Sequence, residues 1–267
     1  MRPVLKRVRR HLLTAFALLA LAYLLLPIAV VVLFSFNDPA GRFNYTWQGF
    51  TLDHWLDPFG VPGLSEAMSN SIRIAVIAAL AATLLGTLIA LALVRYAFRG
   101  RGATNLFIYL PMTTPEVVMG ASLLTLFLNL GVATGFGTIV LAHIMFNISF
   151  VVVTVRARLV GFDRHLEEAA MDLGANEWQT FTRVTLPLIA PGVLAGALLA
   201  FALSIDDFVI TVFNAGATIT FPLYVYGAAR VGVPPQVNVL GTMIFMAAAG
   251  LMLATILVQN RRAKGAT

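Results

Sequence analysis

Residues Leu12 to Phe34 form a run of 23 residues without a single charged side chain. A helix needs about 20 apolar residues to cross the ~30 Å hydrocarbon core of a bilayer. Charged residues make up only 11% of the chain, whereas soluble domains average about 25%. The sequence therefore predicts an all-α membrane protein.

Six segments have the length and composition of transmembrane helices. They are 12–34, 71–94, 105–130, 136–155, 191–213 and 236–258. Pro111, Pro115 and Glu116 interrupt the third segment, and the fifth contains Asp206 and Asp207. We find no soluble domain, and we expect residues 1–267 to form a single transmembrane domain.

Basic residues concentrate at one end of the predicted spans. Of the 18 Lys and Arg residues, 15 lie in the two termini, the connection between spans two and three, and the connection between spans four and five. The other three are Arg42, Arg73 and Arg230. Because cytoplasmic loops are enriched in Lys and Arg, we predict that both termini and the loop 159–190 are cytoplasmic.

The basic N-terminus followed by an apolar run also resembles a secretory signal. The apolar part of such a signal has about 7–15 residues, and a small-residue cleavage site follows it. This run is longer, and no convincing cleavage site precedes Asn37. We interpret the N-terminus as a topology anchor.

A polar stretch within the loop 159–190, LEEAAMDLGANEWQTFTRVTLP, has the pattern of two helices joined at a glycine. Asp163 is a cap candidate for the first helix, and Gly174 occupies the position where helices end in a left-handed residue. Asn176 and Gln179 have the spacing of a capping pair that starts a second helix. We predict that this second helix stops at Pro187, since proline lacks the amide hydrogen.

Two other interpretations of this elbow are weaker. A helix-turn-helix that reads DNA needs a basic recognition helix, but residues 176–186 contain only Arg183. A helix lying idle on the membrane surface would need neither the glycine bend nor the pair Ala169 and Ala170. We therefore interpret the elbow as a docking element, and the chain is not expected to bind nucleic acid.

The elbow carries a family signature. It begins with Glu168-Ala169-Ala170, and Gly174 follows after three residues. Val184 comes after nine further residues, and Leu186-Pro187 comes after one more. This pattern resembles the EAA motif of ABC-importer permeases. The family pattern has Ile where this chain has Val184. The resemblance implies a type I ABC importer permease with a MetI-like fold of six transmembrane helices, in which this loop is the coupling helix.

The same resemblance implies the partners. They are a dimer of ABC ATPase subunits, a second permease subunit, a soluble substrate-binding protein and the lipid bilayer of a bacterial inner membrane. ATP and Mg²⁺ would bind to the ATPase subunits, so this chain is expected to bind no cofactor itself. Glu168, Ala169, Ala170, Gly174, Leu186 and Pro187 are the residues expected to take part in coupling.

The residues themselves give no sign of an enzyme. The phosphate-binding pattern G-x-x-x-x-G-K-[ST] does not occur, and the four His residues lack metal-ligand spacing. We also find no Ser, His and Asp arranged as a plausible catalytic triad. The chain is therefore expected to be a non-catalytic permease subunit.

Acidic residues inside spans are costly, at roughly 2.5–3.5 kcal/mol for Asp on insertion scales, and often mark transport pathways. A straight helix from Asn105 would place Glu116 about 16 Å into the membrane. Adjacent residues on a helix point about 100° apart, so Asp206 and Asp207 can both face one pore only if the helix breaks there. The alternative is structural: one of them pairs with Arg73 or caps a helix end.

The segment LSIDDFVITVFNAG and the segment PMTTPEVVMG resemble corresponding regions of spermidine/putrescine permeases. Iron, thiamine and opine permeases are related, and they remain the alternative substrate classes. A polyamine cation would need carboxylates, and aromatic rings could add cation–π contacts. The candidate path residues are Glu116, Asp206, Asp207, Phe208 and Tyr224.

Two other classes of protein fit the sequence less well. A secondary transporter commonly shows internal symmetry between its halves, and the elbow has no counterpart near residues 30–60. A membrane-anchored regulatory protein would leave the acidic residues inside the spans unexplained. The sequence thus favours the polyamine importer, with the binding protein delivering substrate to the outer loops 35–70 and 214–235.

Overall fold

The structure is a computed structural model that describes the backbone of residues 2–264 and the side chains of residues 11–250, 252 and 253. The described residues form twelve α-helices, one π-helical turn and one isolated bridge between Asn37 and Phe50. The helices are α1 (Arg2–Phe34), α2 (Asp53–Leu56), α3 (Leu64–Arg95), α4 (Arg101–Thr113), α5 (Glu116–Asn129), α6 (Phe136–Val160), α7 (His165–Asp172), α8 (Glu177–Thr180), α9 (Leu186–Asp206), α10 (Val209–Asn214), α11 (Phe221–Val231) and α12 (Pro235–Lys264), and the π-helical turn is Phe181–Thr185.

Four helical stretches in the described part of the chain are long and apolar enough to cross a membrane, or five if the bent pair α4–α5 counts as one span. The four are His11–Phe34, Leu64–Arg95, Phe136–Val160 and Glu177–Asp206. The sixth predicted segment, 236–258, falls within α12, but its side chains from residue 254 onward lie outside the described set. An all-helical membrane protein is confirmed, whereas the count of six spans stays a prediction.

The third predicted segment, 105–130, is not one straight helix. The helical path bends by 110° between α4 and α5. Thr114, between them, has extended backbone angles (φ −79°, ψ 132°), because the ring of Pro115 disfavours a helical conformation at the residue before it. The depth of about 16 Å that a straight helix gives Glu116 is therefore wrong, since Glu116 begins a new helix in a new direction.

The fifth predicted segment, 191–213, also consists of two helices. Helix α9 ends at Asp206, Asp207 is extended (φ −63°, ψ 121°), and α10 begins at Val209. This break is the condition stated above under which both aspartates could face one pore.

The second helix of the elbow does not stop at Pro187. It continues from α8 through the π-helical turn Phe181–Thr185 into α9, where Pro187 occupies the first turn. Proline is tolerated there because its missing amide would have no partner in a first turn. The wider π turn just before it lets the chain continue as one helical stretch.

The two connections predicted to be outer loops, 35–70 and 214–235, both contain a short helix. The first contains the short helix α2, Asp53–Leu56. The apolar connection 214–235 contains α11, whose internal hydrogen bonds satisfy most of its backbone.

The chain groups into two compact units. One unit comprises the residues up to Leu64 together with those from Val225 onward, where α12 packs against α1 and α2. In the connection 35–70 of this unit, the Asn37 side chain donates to Asn44 and to the Thr46 carbonyl and accepts from the Gln48 backbone amide. Phe36 stacks with both Phe50 and Trp55. The prediction of a single domain over 1–267 stays a prediction.

The other unit, Ser65–Tyr224, is built around α6. Helices α4, α9 and α10 pack against it, and its buried side chains include Val151, Val152 and Val155. Glycines allow close approach: a Cβ on Gly86 of α3 would lie 2.7 Å from a Val151 methyl group. Small residues at helix contacts are the usual means of close packing inside membranes.

Candidate functional site

The elbow contains the predicted bend at Gly174. Helix α7 ends at Asp172, and Gly174 has φ +90°, a conformation that L side chains rarely adopt. A Cβ at this position would meet nothing within 4 Å. Glycine is therefore needed here for the backbone conformation and not for space.

Side-chain hydrogen bonds lie at the start of both short helices of the elbow, and those at α8 form a cap. The Asn176 side chain accepts from the Gln179 backbone amide at 2.9 Å, and the Gln179 side chain accepts from the Asn176 amide at 3.0 Å. This reciprocal capping pair confirms the sequence prediction. Before α7, the Asp163 carboxylate accepts from the His165 backbone amide at 3.0 Å. The residue directly before the helix is Arg164, and its side chain makes no capping bond.

Asp163 also bonds the His165 ring, with Oδ1 and Nδ1 2.7 Å apart. This side-chain hydrogen bond, with the Asp163 charge and then the Glu168 charge, raises the pKa of His165 above its ordinary value. The same hydrogen bond lowers the pKa of Asp163. Both side chains are well exposed, so solvent weakens the interaction.

Much of the elbow surface is exposed and apolar. Leu173 is 90% exposed and Trp178 71% exposed, and Glu168 and Ala169 are exposed beside them. Contiguous exposed apolar side chains mark interaction surfaces. These apolar side chains of the elbow thus lie on the surface, where they are available for docking.

Glu167, and not its neighbour Glu168, is the buried acid of the elbow. Its carboxylate accepts hydrogen bonds from Arg95 at the end of α3 and from the Thr185 hydroxyl at the end of the π turn. Sequence reasoning missed this contact because Arg95 was interpreted only as a topology signal. In the sequence, the sign of this contact is a basic residue at the end of a predicted span, and that residue type does not identify the acid with which it pairs.

A second polar cluster lies where α9 breaks. His143 of α6 is 2% exposed, and its Nδ1 lies 2.6 Å from the Ser204 hydroxyl. Its Nε2 lies 3.1 Å from Asp207 Oδ2 and 3.0 Å from the Thr211 hydroxyl. The spacing of the four histidines predicts no metal site and identifies no partner for His143, although a polar residue inside an apolar span requires a partner.

Asp207 caps α10. Its Oδ2 accepts from the Thr211 amide at 2.8 Å and from the Thr211 hydroxyl at 2.7 Å. The structural alternative considered for the aspartates therefore applies to Asp207, with His143 as its partner in place of Arg73. Asp206, the last residue of α9, is exposed.

Ser204, His143 and Asp207 form a hydrogen-bonded chain that sequence reasoning did not expect. A serine hydrolase triad contains the same three residue types, but there the serine bonds Nε2 and the aspartate Nδ1 of the histidine, the reverse of the contacts here. Here the Ser204 hydroxyl and His143 are buried between α6 and the α9–α10 break, so a substrate carbonyl has no approach to the hydroxyl. The cluster stabilises the helix break.

The other candidate path residues lie on separate helices. Glu116 is exposed as the first residue of α5, and Phe208 and Tyr224 are half-buried. Among the described residues no hydrogen bond or ion pair joins Glu116 to Asp206. The structure thus leaves the path itself as a prediction.

Comparison with known proteins decides the family. The sequence profile of the family described as "Binding-protein-dependent transport system inner membrane component" matches residues 82–260, which include the elbow and the α9–α10 break. The chain belongs to this family of permeases. It is thus a type I ABC importer permease, as the EAA motif predicted.

Curated relatives match this permease over most of its length. It is 41% identical over 247 residues to the spermidine/putrescine transport system permease protein PotC of Escherichia coli (strain K12). The aligned residues cover 92% of this chain and 93% of PotC. It is 39% identical over 235 residues to the putrescine transport system permease protein PotI of the same organism, over 85% of this chain and 83% of PotI.

A solved structure shows the fold of the permease. The chain superposes on the crystal structure of a bacterial ABC transporter involved in the import of the acidic polysaccharide alginate with a TM-score of 0.69. The superposition covers 98% of this chain and 99% of the other, at 19% sequence identity. The helical architecture is therefore that of an ABC importer permease.

Proposed function

We propose that this chain is the permease subunit of an ATP-driven importer that carries a polyamine, spermidine or putrescine, across a bacterial inner membrane. The observation that carries the proposal is the 41% identity to PotC over nearly the whole length of both chains. The match to PotI, named for putrescine transport, supports the same class of substrate.

The proposed topology has six spans with both termini in the cytoplasm. The clustering of basic residues supports it, as do the five apolar spans found when the bent pair counts as one. The helix α12 would supply the sixth. The elbow between α6 and α9 then lies on the cytoplasmic side.

In this proposal the elbow is the coupling element. Glu168, Ala169, Ala170 and Gly174 would seat in a groove of the ATPase dimer, with Leu186 and Pro187 at the start of α9. The exposure of Leu173 and Trp178 supports docking, since burying them against a partner is favourable. ATP and Mg²⁺ would remain on the ATPase subunits, and the permease would carry out no chemistry itself.

Asp206 is the better candidate for contact with a polyamine cation, because it is exposed beside a break in a span. Asp207 is occupied by His143 and Thr211, so we assign it a structural role. Glu116, Phe208 and Tyr224 remain proposed contributors to the path. A second permease subunit would complete the path, and a soluble binding protein would deliver the substrate to the outer loops.

The test is uptake of radiolabelled spermidine and putrescine into proteoliposomes that contain this chain with its ATPase and sister permease, with the binding protein outside and ATP inside. We expect ATP-dependent uptake of at least one polyamine and copurification of the ATPase. ATP-dependent uptake of iron, thiamine or an opine without polyamine uptake would overturn the substrate. Uptake that persists without any ATPase would overturn the importer.

A further inference from the structure

Glu167 is buried in an elbow whose other side chains are mostly exposed. It is 8% exposed, and Thr185, which donates to it, is 1% exposed. Arg95 Nη2 also donates to the same Glu167 oxygen and lies 3.3 Å from the Thr185 hydroxyl. One carboxylate therefore has two donors from two other parts of the chain.

These three residues belong to three separate elements. Arg95 is the last residue of α3, Glu167 lies in the first turn of α7, and Thr185 ends the π turn that leads into α9. We call Arg95, Glu167 and Thr185 the α3–elbow link. The link connects the elbow not only to α9, which follows it in sequence, but also to a span about 70 residues earlier.

Other contacts of the inner helix ends do not replace this link. Arg156 of α6 donates to Asn105 of α4 at 2.9 Å, and Arg158 donates to the Leu188 carbonyl of α9 at 3.2 Å. Both contacts join spans to each other and leave out the elbow. Among the hydrogen bonds of the described side chains, only the α3–elbow link joins α7 to another span.

The surroundings of the link are not tightly packed. A cavity of about 260 Å³ lies beside it, lined by all three link residues together with Met171, Thr180 and Phe181. Single π turns inside helices occur frequently at functional sites. Among the hydrogen bonds and ion pairs of the described side chains, the Arg95–Glu167 ion pair is the one that joins α7 to α3 beside this cavity.

We propose that the α3–elbow link transmits the movement of the elbow to α3, so that α3 and α9 move together when the partner ATPase closes. Arg95 and Glu167 act as positioning residues, and the link stays closed through the transport cycle. A buried carboxylate that loses its cationic partner is strongly disfavoured, which keeps the elbow and α3 together. This inference rests on the proposed coupling role of the elbow.

The first test separates coupling from docking. In the reconstituted importer, Glu167→Gln and Arg95→Gln should leave the ATPase bound and hydrolysing ATP, while polyamine transported per ATP falls about tenfold. The exchanged pair Arg95→Glu with Glu167→Arg should recover much of the loss. Arg99→Gln, which removes an exposed arginine four residues further on, is the matched control and should leave the ratio unchanged.

The second test uses the absence of cysteine from the sequence. The double variant Arg95→Cys with Glu167→Cys lacks the ion pair and should show the same low transport per ATP. Bridging the two thiols with a short bifunctional methanethiosulfonate should restore it, because a covalent connection replaces the ion pair. Uptake is normalised to the amount of protein in the membrane, so a loss of expression does not imitate the effect.

Each outcome has one meaning. An unchanged ratio in the single variants, or a bridge that blocks transport, overturns the link while the proposed function stands. Absence of the ATPase from the purified parent protein overturns the proposed function, and the link with it. Recovery by both the exchanged pair and the bridge supports the link, since a merely stabilising contact would not change polyamine transported per ATP.

Discussion

At the scale of single residues, two pairs of adjacent acids have opposite surroundings. Glu167 is buried against Arg95 while Glu168 is exposed, and Asp207 is held by His143 while Asp206 is exposed. A buried carboxylate contributes to the fold through its partners, whereas an exposed one is available to a ligand or another protein. Neutralising the buried acid of each pair should therefore weaken the fold, whereas neutralising the exposed acid should weaken binding of a ligand or another protein.

Neutralising Asp206 and Asp207 tests this difference. Asp206→Asn should reduce polyamine uptake about tenfold or more, equivalent to ~1.4 kcal/mol, with a normal amount of protein in the membrane. Asp207→Asn should destabilise the fold by about 1–3 kcal/mol, because the His143 contact and the α10 cap weaken. Uptake and thermal unfolding of the purified variants separate the two effects. Full uptake by Asp206→Asn would remove that residue from the path.

The exposed pair Asp163 and His165 predicts a pH dependence at the start of α7. The raised pKa of His165 means that this contact stabilises the folded chain at low pH and is lost as the pH rises through the raised value. The lowered pKa of Asp163 means that its contribution is lost as the pH falls through the lowered value. Asp163 is therefore charged and His165 protonated, and the contact is strongest, at pH values between the lowered pKa of Asp163 and the raised pKa of His165.

NMR of ¹³C-labelled histidine in detergent measures this contact directly. The pKa of His165 should fall in the Asp163→Asn variant, because the first and largest cause of the shift is removed. His11, which lies far from Asp163 in sequence, is the internal reference. Equal His165 values in both proteins would contradict the contact.

At the scale of elements, breaks in helices decide where the functional side chains lie. Pro115 turns α5 away from α4, Asp207 separates α10 from α9, and Gly174 separates α7 from α8. The π turn Phe181–Thr185 instead keeps the elbow continuous with α9. Movement of α8 would therefore reach α9 directly, through a helical connection without a loop.

Gly174 can be tested for its backbone conformation alone. Gly174→Val should cost at least about 1–2 kcal/mol at positive φ and shift the bend, which should reduce ATPase copurification and uptake. Gly174→Asn should have a smaller effect, since Asn tolerates this region better. Membrane insertion should be normal in both. Equal uptake in all three proteins would show that the bend is not needed for coupling.

Gly86 tests the close contact of α3 with α6. Gly86→Ala places a Cβ 2.7 Å from a Val151 methyl group, and such overpacking costs about 1–3 kcal/mol. Gly137→Ala in α6, where a Cβ meets nothing within 4 Å, is the control. Full stability of Gly86→Ala alone would contradict the contact.

At the scale of the whole molecule, the family assignment and the distribution of charge make the same topology prediction. A cytoplasmic elbow requires Leu173 and the outer loop residue Tyr45 to lie on opposite sides of the membrane. Both are exposed, and the chain has no cysteine of its own.

Single cysteines at these two positions test the topology. In intact cells, a membrane-impermeant maleimide that passes the outer membrane should label Tyr45→Cys and leave Leu173→Cys unlabelled. In inside-out vesicles the order should reverse. Labelling of Leu173→Cys in intact cells would place the elbow outside, and the proposed ATPase contact would then be impossible.

Local rules were sufficient for the features that depend on neighbouring residues. The charge-free run 12–34, the left-handed Gly174 and the Asn176–Gln179 capping pair follow from chemistry within a few residues, so the sequence predicts them correctly. The EAA motif is equally local, and it identified the family. A straight helix is wrong through Pro115, and the fifth segment also breaks at Asp207. Local signals for a break are present at both positions, but they do not predict the angle between the two helices.

The sequence by itself determined that long apolar helices cross a membrane and that one polar elbow joins two of them, because length, hydropathy and glycine conformation act locally. Only the tertiary structure decided which acid of each pair is buried. The partner of Glu167 is 72 residues away and that of Asp207 is 64 residues away. Burial depends on which distant side chains the packing of α3, α6 and α9 brings to the same place.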